Sequence, residues 1–343
     1  MISPRSSPEG GLLVALLREN GAEVRRRIPE TRDWTTFGAL VTRHRLEPYL
    51  HRLCERNGMS PLLPATVRDA FAERHRMTLY GNIALLTSVR PILLALNHAG
   101  VTPIVLKGSA LLERIYPDIG SRALTDVDIL VPKNRFEEAT RTVREHGFRY
   151  DPGTLRAGRR ESYEAPDHVV AAVDVHWELS QKYRFQADMG AVWSNSLPLD
   201  LEGAAVRRLA PADEFVYLAL HYAAHYFGVT LKWLVDLREL LRLERLDPRE
   251  VVETAIRWRG AAGLHFALRY LDAVYGDALS LQPFAARLRR PVRDLLIRPF
   301  LSDDPLLLVK PLDRGPRRLA MGLLFVDRVR DMIRLGFVTH APD

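Results

Sequence analysis

Cysteine is nearly absent from this sequence, in which Cys54 is the one cysteine among 343 residues. A single thiol excludes an intramolecular disulfide and a cysteine-rich metal site. Long apolar runs are missing as well, and none approaches the roughly 20 residues of a membrane-spanning helix. The N-terminal apolar stretch lacks the small-residue cleavage site of a signal peptide. We therefore expect a cytoplasmic protein without a membrane span.

Lysine is the second scarce residue, because only five of the 49 basic residues are lysines. The net charge of +7 is explained either by an arginine-rich proteome or by a surface suited to polyanions. The arginines are scattered along the chain, so a nucleic-acid partner is compatible with the charge but is not indicated. The scarcity of lysine makes Lys107 stand out, since it lies beside a Gly-Ser pair.

Helical periodicity covers both ends of the chain. Apolar residues recur at three- and four-residue spacing through residues 1–100 and again through most of residues 206–343. Residues 101–205 instead combine short apolar strands with helices. We therefore expect an α+β protein, in which a small mixed sheet with flanking helices lies between mainly α-helical N- and C-terminal regions.

The segment PIVLKGSALLERIY begins the middle region with a buried strand, a Gly-Ser turn and a helix. Unpaired N–H groups and the helix dipole at such a helix start favour a phosphate group. Gly108 lets the backbone approach a ligand closely, and Ser109 either caps the helix or bonds a phosphate oxygen. A Gly-Ser pair alone more often marks a plain N-cap, so this segment predicts a phosphate site only together with its neighbours.

Two acids follow in the strand TDVDILV, where Asp126 and Asp128 are expected on one face. Neighbouring carboxylates repel each other unless a divalent cation lies between them. The alternative is a solvated strand end, which the apolar residues around the pair disfavour. A third acid, Asp174, comes from the later strand segment DHVVAAVDVHWELS, where His176 is expected on the same face.

A later helix carries two histidines, His221 and His225, four residues apart and therefore on one face. Asp236 follows on the next helix. This spacing without the glutamate of a zinc protease is a weak metal motif. A role in packing or in a substrate wall is the preferred interpretation.

Taken together, these blocks resemble a poorly characterised bacterial nucleotidyltransferase family within the DNA polymerase β-like superfamily. The resemblance covers roughly residues 80–240 and implies a polymerase-β-like nucleotidyltransferase core over residues 101–205. Four blocks occur in the family's order: LKGSALLERIYPD, SRALTDVDILV, VDVHWELS, and LALHYAAHYF with LKWLVDL.

The resemblance implies metal-dependent transfer of a nucleoside monophosphate from an NTP, with release of pyrophosphate. The acceptor would be a hydroxyl or phosphate of a small molecule, a peptide or an RNA end. Mg²⁺, with Mn²⁺ as the alternative, would be held by the catalytic acids Asp126, Asp128 and Asp174. The triphosphate would be bound by Lys107, Gly108, Ser109 and Arg122, and the substrate wall would include His176, His221, His225 and Asp236.

Two other functions remain open at this point. A metal-dependent glycosyltransferase also binds a metal–nucleotide-sugar complex at an Asp-x-Asp strand end, but the Gly-Ser helix start and Asp174 fit nucleotidyl transfer better. A non-catalytic scaffold or antitoxin-like protein would keep the fold without the chemistry. The presence of all three acids disfavours this second alternative.

Overall fold

The computed structural model describes residues 7–152, 160–165, 171–179, 185–225, 230–276, 278–288, 291–302, 306, 316–325 and 327. The α-helices of these residues are α1 Pro8–Leu17, α2 Gly21–Arg27, α3 Trp34–Arg43, α4 Glu47–Arg56, α5 Ala65–His98, α6 Lys107–Ile115, α7 Phe136–Glu145, α8 Met189–Asn195, α9 Pro211–Ala224, α10 Lys232–Leu243, α11 Pro248–Arg257, α12 Ala261–Tyr275, α13 Ala278–Ala285, α14 Pro291–Leu296 and α15 Pro316–Leu324. The strands are β1 Ile104–Leu106, β2 Val127–Leu130, β3 Arg149–Tyr150, β4 Arg160–Glu164, β5 Ala172–His176, β6 Leu197–Leu201 and β7 Ala204–Arg208.

The chain divides into two compact units. The helical unit comprises Met1–His75, Lys182–Gln186 and Phe215–Asp343. The sheet unit comprises Arg76–Gln181 and Ala187–Glu214 and contains every strand given above. The three sequence-based regions, divided after residues 100 and 205, remain a prediction about the organisation of the chain.

The sheet unit is built on a seven-stranded mixed sheet in the order β3-β4-β5-β2-β1-β7-β6. β2 runs parallel to β5 and β1 runs parallel to β7, whereas the other neighbouring pairs are antiparallel. The α+β class with a mixed sheet and flanking helices is confirmed.

The β6–β7 hairpin is one part of this sheet that the sequence analysis did not predict. The sequence does contain the pattern of a hairpin, because leucine alternates with other residues over Leu197–Leu201 and a Glu-Gly pair follows. Glu202 has φ 53° and Gly203 has φ 78°, which is the left-handed pair that a tight two-residue hairpin turn needs.

Alternation along the strands gives the sheet one strongly apolar face. Val127 and Ile129 of β2, with Val173 and Val175 of β5, belong to one buried cluster. That cluster also contains residues of α5 and α7, namely Leu85, Leu86, Val89, Ile92, Leu93, Leu96, Ala139 and Val143. Since successive side chains point to opposite faces, this packing directs Asp128 and Asp174 to the other face.

Within the described part of the chain, α5 is the one helix long and apolar enough to cross a membrane. Length and composition alone support that interpretation, and the core helix of a soluble protein passes the same test. The inner side of α5 packs Leu86, Val89 and Leu93 into the sheet core described above. Packing against the sheet therefore explains the apolar residues on this side of α5, whereas Met77, Tyr80 and Ile83 of the same helix are exposed.

A buried histidine joins two parts of the helical unit. His44 is 3% exposed, and its Nδ1 accepts a hydrogen bond of 3.3 Å from the N–H of Leu231. The hydroxyl of Thr230 donates to the carbonyl of His44. Burial, with a smaller contribution from Arg43, lowers the pKa of His44 from 6.5 to about 4. The neutral ring is therefore the form that fits the folded protein.

We predict that this histidine makes the protein sensitive to mild acid. Because the pKa of His44 is lower in the folded than in the unfolded state, its contribution is complete above about pH 6.5. The unfolded chain binds the proton more tightly below that pH, so about 2 kcal/mol of stability is lost between pH 7 and pH 4.5. Urea unfolding at the two pH values measures this loss.

The matched variant is His44→Asn, which keeps an acceptor near the position of Nδ1 but does not titrate. Its free energy of unfolding should fall less than that of the parent over the same interval. An equal loss in both proteins would show that His44 is not the responsible group.

Candidate active site

Sheet register places the acids side by side. Leu106 of β1 pairs with Asp128 of β2, and Asp128 pairs with Asp174 of β5. Asp174 in turn pairs with Ser162 of β4. These four residues form one row across four strands, so the two carboxylates approach each other although 46 positions separate them in the sequence.

Asp126 lies just before the strand rather than in it, because β2 begins at Val127. The expectation that Asp126 and Asp128 share a strand is therefore wrong for Asp126. The first paired residue is Val127, opposite Val173, and Asp126 belongs to the preceding loop. It is half-buried and accepts a hydrogen bond of 3.1 Å from the hydroxyl of Thr125.

Asp128 is 2% exposed and has two nitrogen partners. The ammonium of Lys107 lies 2.6 Å from its Oδ1, and Nε2 of His176 lies 2.9 Å from the same oxygen. Burial alone would raise the pKa of Asp128, but Lys107 and His176 together hold that pKa well below its usual range. Asp128 is therefore a buried carboxylate kept in its charged form.

The pKa of the neighbouring acid, Asp126, is shifted in the opposite direction. Burial raises the pKa of Asp126, and the negative charge of Asp128 raises it further. Lys107 acts against this effect but does not cancel it. The two aspartates of the Asp-Val-Asp motif therefore have different proton affinities.

Asp174 is held by two side chains that the sequence analysis missed. The hydroxyl of Ser162 donates to its Oδ1, and the guanidinium of Arg160 forms an ion pair with Oδ2. Asp174 is 4% exposed. Both partners lie on β4, and their cross-strand position depends on the pairing of β4 with β5, which could not be assigned from the sequence.

The turn after β1 begins one residue earlier than predicted. Lys107 has φ 53°, a left-handed conformation that costs a side-chain-bearing residue about 1–2 kcal/mol. Helix α6 starts there, so Gly108 and Ser109 lie in its first turn. Ser109 is not the N-cap, because its hydroxyl donates over 3.0 Å to the carbonyl of Leu106, the residue that precedes the helix.

Gly108 makes room for Arg122. A Cβ atom at Gly108 would lie 2.0 Å from Nη1 of Arg122 and 2.6 Å from Cδ2 of Leu124. Arg122 is 5% exposed, so its guanidinium is buried against the first turn of α6. Lys107 and the guanidinium of Arg122, two cationic groups predicted to bind the triphosphate, therefore both lie at the first turn of α6.

A buried asparagine on α5 holds the loop that leads to the acids. Asn82 is 1% exposed, and its Nδ2 donates to the carbonyls of Ile119 and, over 2.8 Å, of Arg122. Its Oδ1 accepts a hydrogen bond of 2.9 Å from the N–H of Leu124. Asn82 was not among the predicted site residues, because an asparagine inside a long helix gives no sign in the sequence of the distant loop that it binds.

The donor atoms of Asp128, Asp174 and His176 all lie within 4.8 Å of one another. Two carboxylates and an imidazole are suitable ligands for a divalent cation. Among the described residues, Asp126 is not part of this group. The chemistry of the donor set therefore fits a divalent metal ion, and Asp126, which was predicted as a ligand, lies outside the set.

His221, His225 and Asp236 belong to the helical unit. The ring of His221 lies 4.9 Å from that of His225 and 4.7 Å from that of Trp233. Asp236 is 1% exposed. These contacts agree with a packing role, and the role of the three residues in a substrate wall remains a prediction.

We predict that Asn82→Ala loosens the loop that carries Arg122 and Asp126. Loss of the side chain leaves three backbone groups without their partner, which costs about 1–3 kcal/mol for each group that stays buried. Hydrogen exchange at the amide of Leu124 should become at least about tenfold faster.

Asn97 offers a matched control on the same helix. It too makes three hydrogen bonds with backbone groups, two with Ala205 and one with Val101. Asn97→Ala should accelerate exchange at Ala205 and leave Leu124 protected. Faster exchange at Leu124 in both variants would indicate general destabilisation instead of a local effect of the Asn82 hydrogen bonds.

Comparison with known proteins adds a family assignment. The model of the family described as "Uncharacterised nucleotidyltransferase" matches residues 30–276, well over half of the chain. No curated protein matches the sequence.

Two solved structures are similar. The lincosamide antibiotic adenylyltransferase LnuA, bound to lincomycin, is 14% identical with a TM-score of 0.33, over 46% of this chain and 97% of that chain. A nucleotidyltransferase-like antigenic protein from Paracoccidioides brasiliensis is 17% identical with a TM-score of 0.43, over 58% of this chain and 92% of that chain. Both TM-scores are too low to support an argument about this protein.

The family match covers the row of acids, the turn at Lys107 and the helix that carries Asn82. On that match, the chain belongs to the family of uncharacterised nucleotidyltransferases and is a transferase.

Proposed function

We propose that the protein transfers a nucleoside monophosphate from an NTP to a hydroxyl or phosphate of an acceptor, in a reaction that needs a divalent metal. The observation that carries this proposal is the row in which Asp128 and Asp174 pair on neighbouring parallel strands, beside the Lys107 turn. In the reaction, an acceptor oxygen forms a bond to the α-phosphorus. The bond from that phosphorus to the oxygen bridging to the β-phosphorus breaks, and pyrophosphate leaves.

Lys107, Gly108, Ser109 and Arg122 are proposed to bind the triphosphate. A guanidinium and an ammonium beside the first turn of α6 add positive charge to the positive end of the helix dipole. A phosphate group at this position would be stabilised by both cations and by the helix dipole. Lys107 is the member that can also neutralise the departing pyrophosphate.

Asp126, Asp128 and Asp174 are proposed to provide the catalytic carboxylates. Asp128 is already charged and fixed by Lys107 and His176. Asp174 faces Arg160, which is 35% exposed, and is our candidate to receive the proton of the acceptor hydroxyl. When bound, Mg²⁺ or Mn²⁺ would stabilise negative charge on the reacting phosphate oxygens.

The acceptor is left open as a small molecule, a peptide or an RNA end, and the +7 net charge is compatible with a polyanionic one. We also propose a cytoplasmic location, which the single cysteine supports. Incubation with α-phosphate-labelled NTPs, Mg²⁺ and a cell extract tests the reaction and labels the acceptor.

We predict that Asp128→Asn lowers this labelling at least about a thousandfold, because a neutral amide binds a divalent cation much more weakly than a carboxylate does. Asp126→Asn should also lose most of the activity. The control is Asp200→Asn in the β6–β7 hairpin, where an exposed aspartate accepts a hydrogen bond from Gly203. Labelling that persists in Asp128→Asn would contradict catalysis at this site, and label transferred only from a nucleotide sugar would favour a glycosyltransferase.

We also predict that Gly108→Ala weakens NTP binding about tenfold, because the new methyl group displaces the guanidinium of Arg122. The matched control is Gly81→Ala on α5, where a Cβ atom meets nothing within 4 Å. That control should bind NTP normally and should be slightly more stable, since alanine favours helix. Calorimetric titration with ATP and the other NTPs measures the affinity, and equal affinities in both variants would exclude Arg122 from the phosphate site.

A further inference from the structure

We propose that His176 is a direct ligand of the metal, so that the site has two carboxylates and one imidazole and prefers Mn²⁺ to Mg²⁺. This inference rests on the proposed function for the existence of the metal. It departs from the all-carboxylate set of Asp126, Asp128 and Asp174, because it replaces Asp126 by a nitrogen ligand.

Register and strand geometry bring the three donors together. Asp174 and His176 are two residues apart on β5 and therefore share a face of the sheet. Asp128 is paired with Asp174, and His176 is paired with Leu130, two residues further along β2. The imidazole thus reaches diagonally to Asp128, where its Nε2 lies 2.9 Å from Oδ1.

The three side chains are buried and point to one place. Asp128, Asp174 and His176 are 2%, 4% and 6% exposed, and their donor atoms lie within 4.8 Å of one another. Ligands of one ion at about 2.1 Å are separated by at most twice that distance, so a small adjustment brings all three into contact with the same ion. Asp126 is more exposed, and it precedes the strand.

The donor set determines which cation is favoured. Mg²⁺ prefers an octahedral shell of oxygen atoms and keeps several of its waters. Imidazole nitrogen instead favours the transition metals, and Mn²⁺ combines tolerance of nitrogen with the oxygen ligands that phosphates provide. His176 would therefore shift the preference of this site toward Mn²⁺ without preventing Mg²⁺ from binding.

Pulsed electron paramagnetic resonance of bound Mn²⁺ tests the ligand directly. The probe is Mn²⁺ with inorganic tripolyphosphate, which imitates the triphosphate without adding nitrogen atoms. The whole protein should show the ¹⁴N modulation of a coordinated imidazole. In protein that contains [¹⁵N]histidine, the ¹⁴N modulation should be replaced by ¹⁵N modulation. This comparison needs no mutation, so it does not depend on whether a variant folds.

Variants then identify the histidine. His176→Gln should lose the nitrogen modulation and bind Mn²⁺ at least about tenfold more weakly, while Mg²⁺ affinity changes about twofold or less. His146→Gln is the control, because His146 is an exposed histidine of the same unit, at the end of α7. A wild-type protein that fails to bind Mn²⁺, or shows no nitrogen modulation, overturns the proposal, as does modulation that persists in His176→Gln.

These outcomes are independent of catalysis. If bound Mn²⁺ shows nitrogen modulation but no labelled nucleotide is transferred, the metal site is supported and the proposed function is wrong. If nucleotide transfer depends on metal but no nitrogen modulation is seen, the proposed function is supported and His176 is not a ligand.

Discussion

The ion pair between Lys107 and Asp128 is the interaction on which the proposed site depends. A carboxylate as buried as Asp128 would ordinarily take up a proton, and it remains charged because an ammonium lies 2.6 Å away. Removing one partner of such a pair typically costs about 3–5 kcal/mol, since the other charge stays buried. The bond also offsets the cost of the left-handed backbone at Lys107. This ion pair thus holds the start of α6 next to Asp128 of β2.

The sheet and α5 supply the rest of the geometry. Parallel pairing of β2 with β5 aligns Asp128 with Asp174, while the apolar face of the same strands packs on α5. From α5, Asn82 fixes the loop that contains Arg122. One helix, α5, therefore contributes both to the core of the sheet unit and to the hydrogen bonds that position the loop. A change on α5 can alter the site without contacting any of its acids.

Much of this arrangement was predictable from the sequence, because it depends on local patterns. Alternation and turn residues indicated the α+β class, the strand before Lys107 and the strand that holds Asp174. The cross-strand partners were not predictable, since Ser162 and Arg160 take their positions from the register of β4 on β5. Asn82 binds the carbonyl of Arg122, which is 40 positions away in the sequence, and no local sequence pattern indicates this contact. His176 was noticed for its face, but its contact with Asp128 depends on how the strands pair.

Anomalous diffraction at the manganese edge, from crystals of the whole protein soaked in Mn²⁺ and tripolyphosphate, would locate the metal. We expect a peak at coordinating distance from both Asp128 and Asp174, with Lys107 moved from Asp128 toward the phosphates. Mn²⁺ bound at another place, or Asp128 still paired with Lys107 while tripolyphosphate is bound elsewhere, would show that this row of acids is not the metal site.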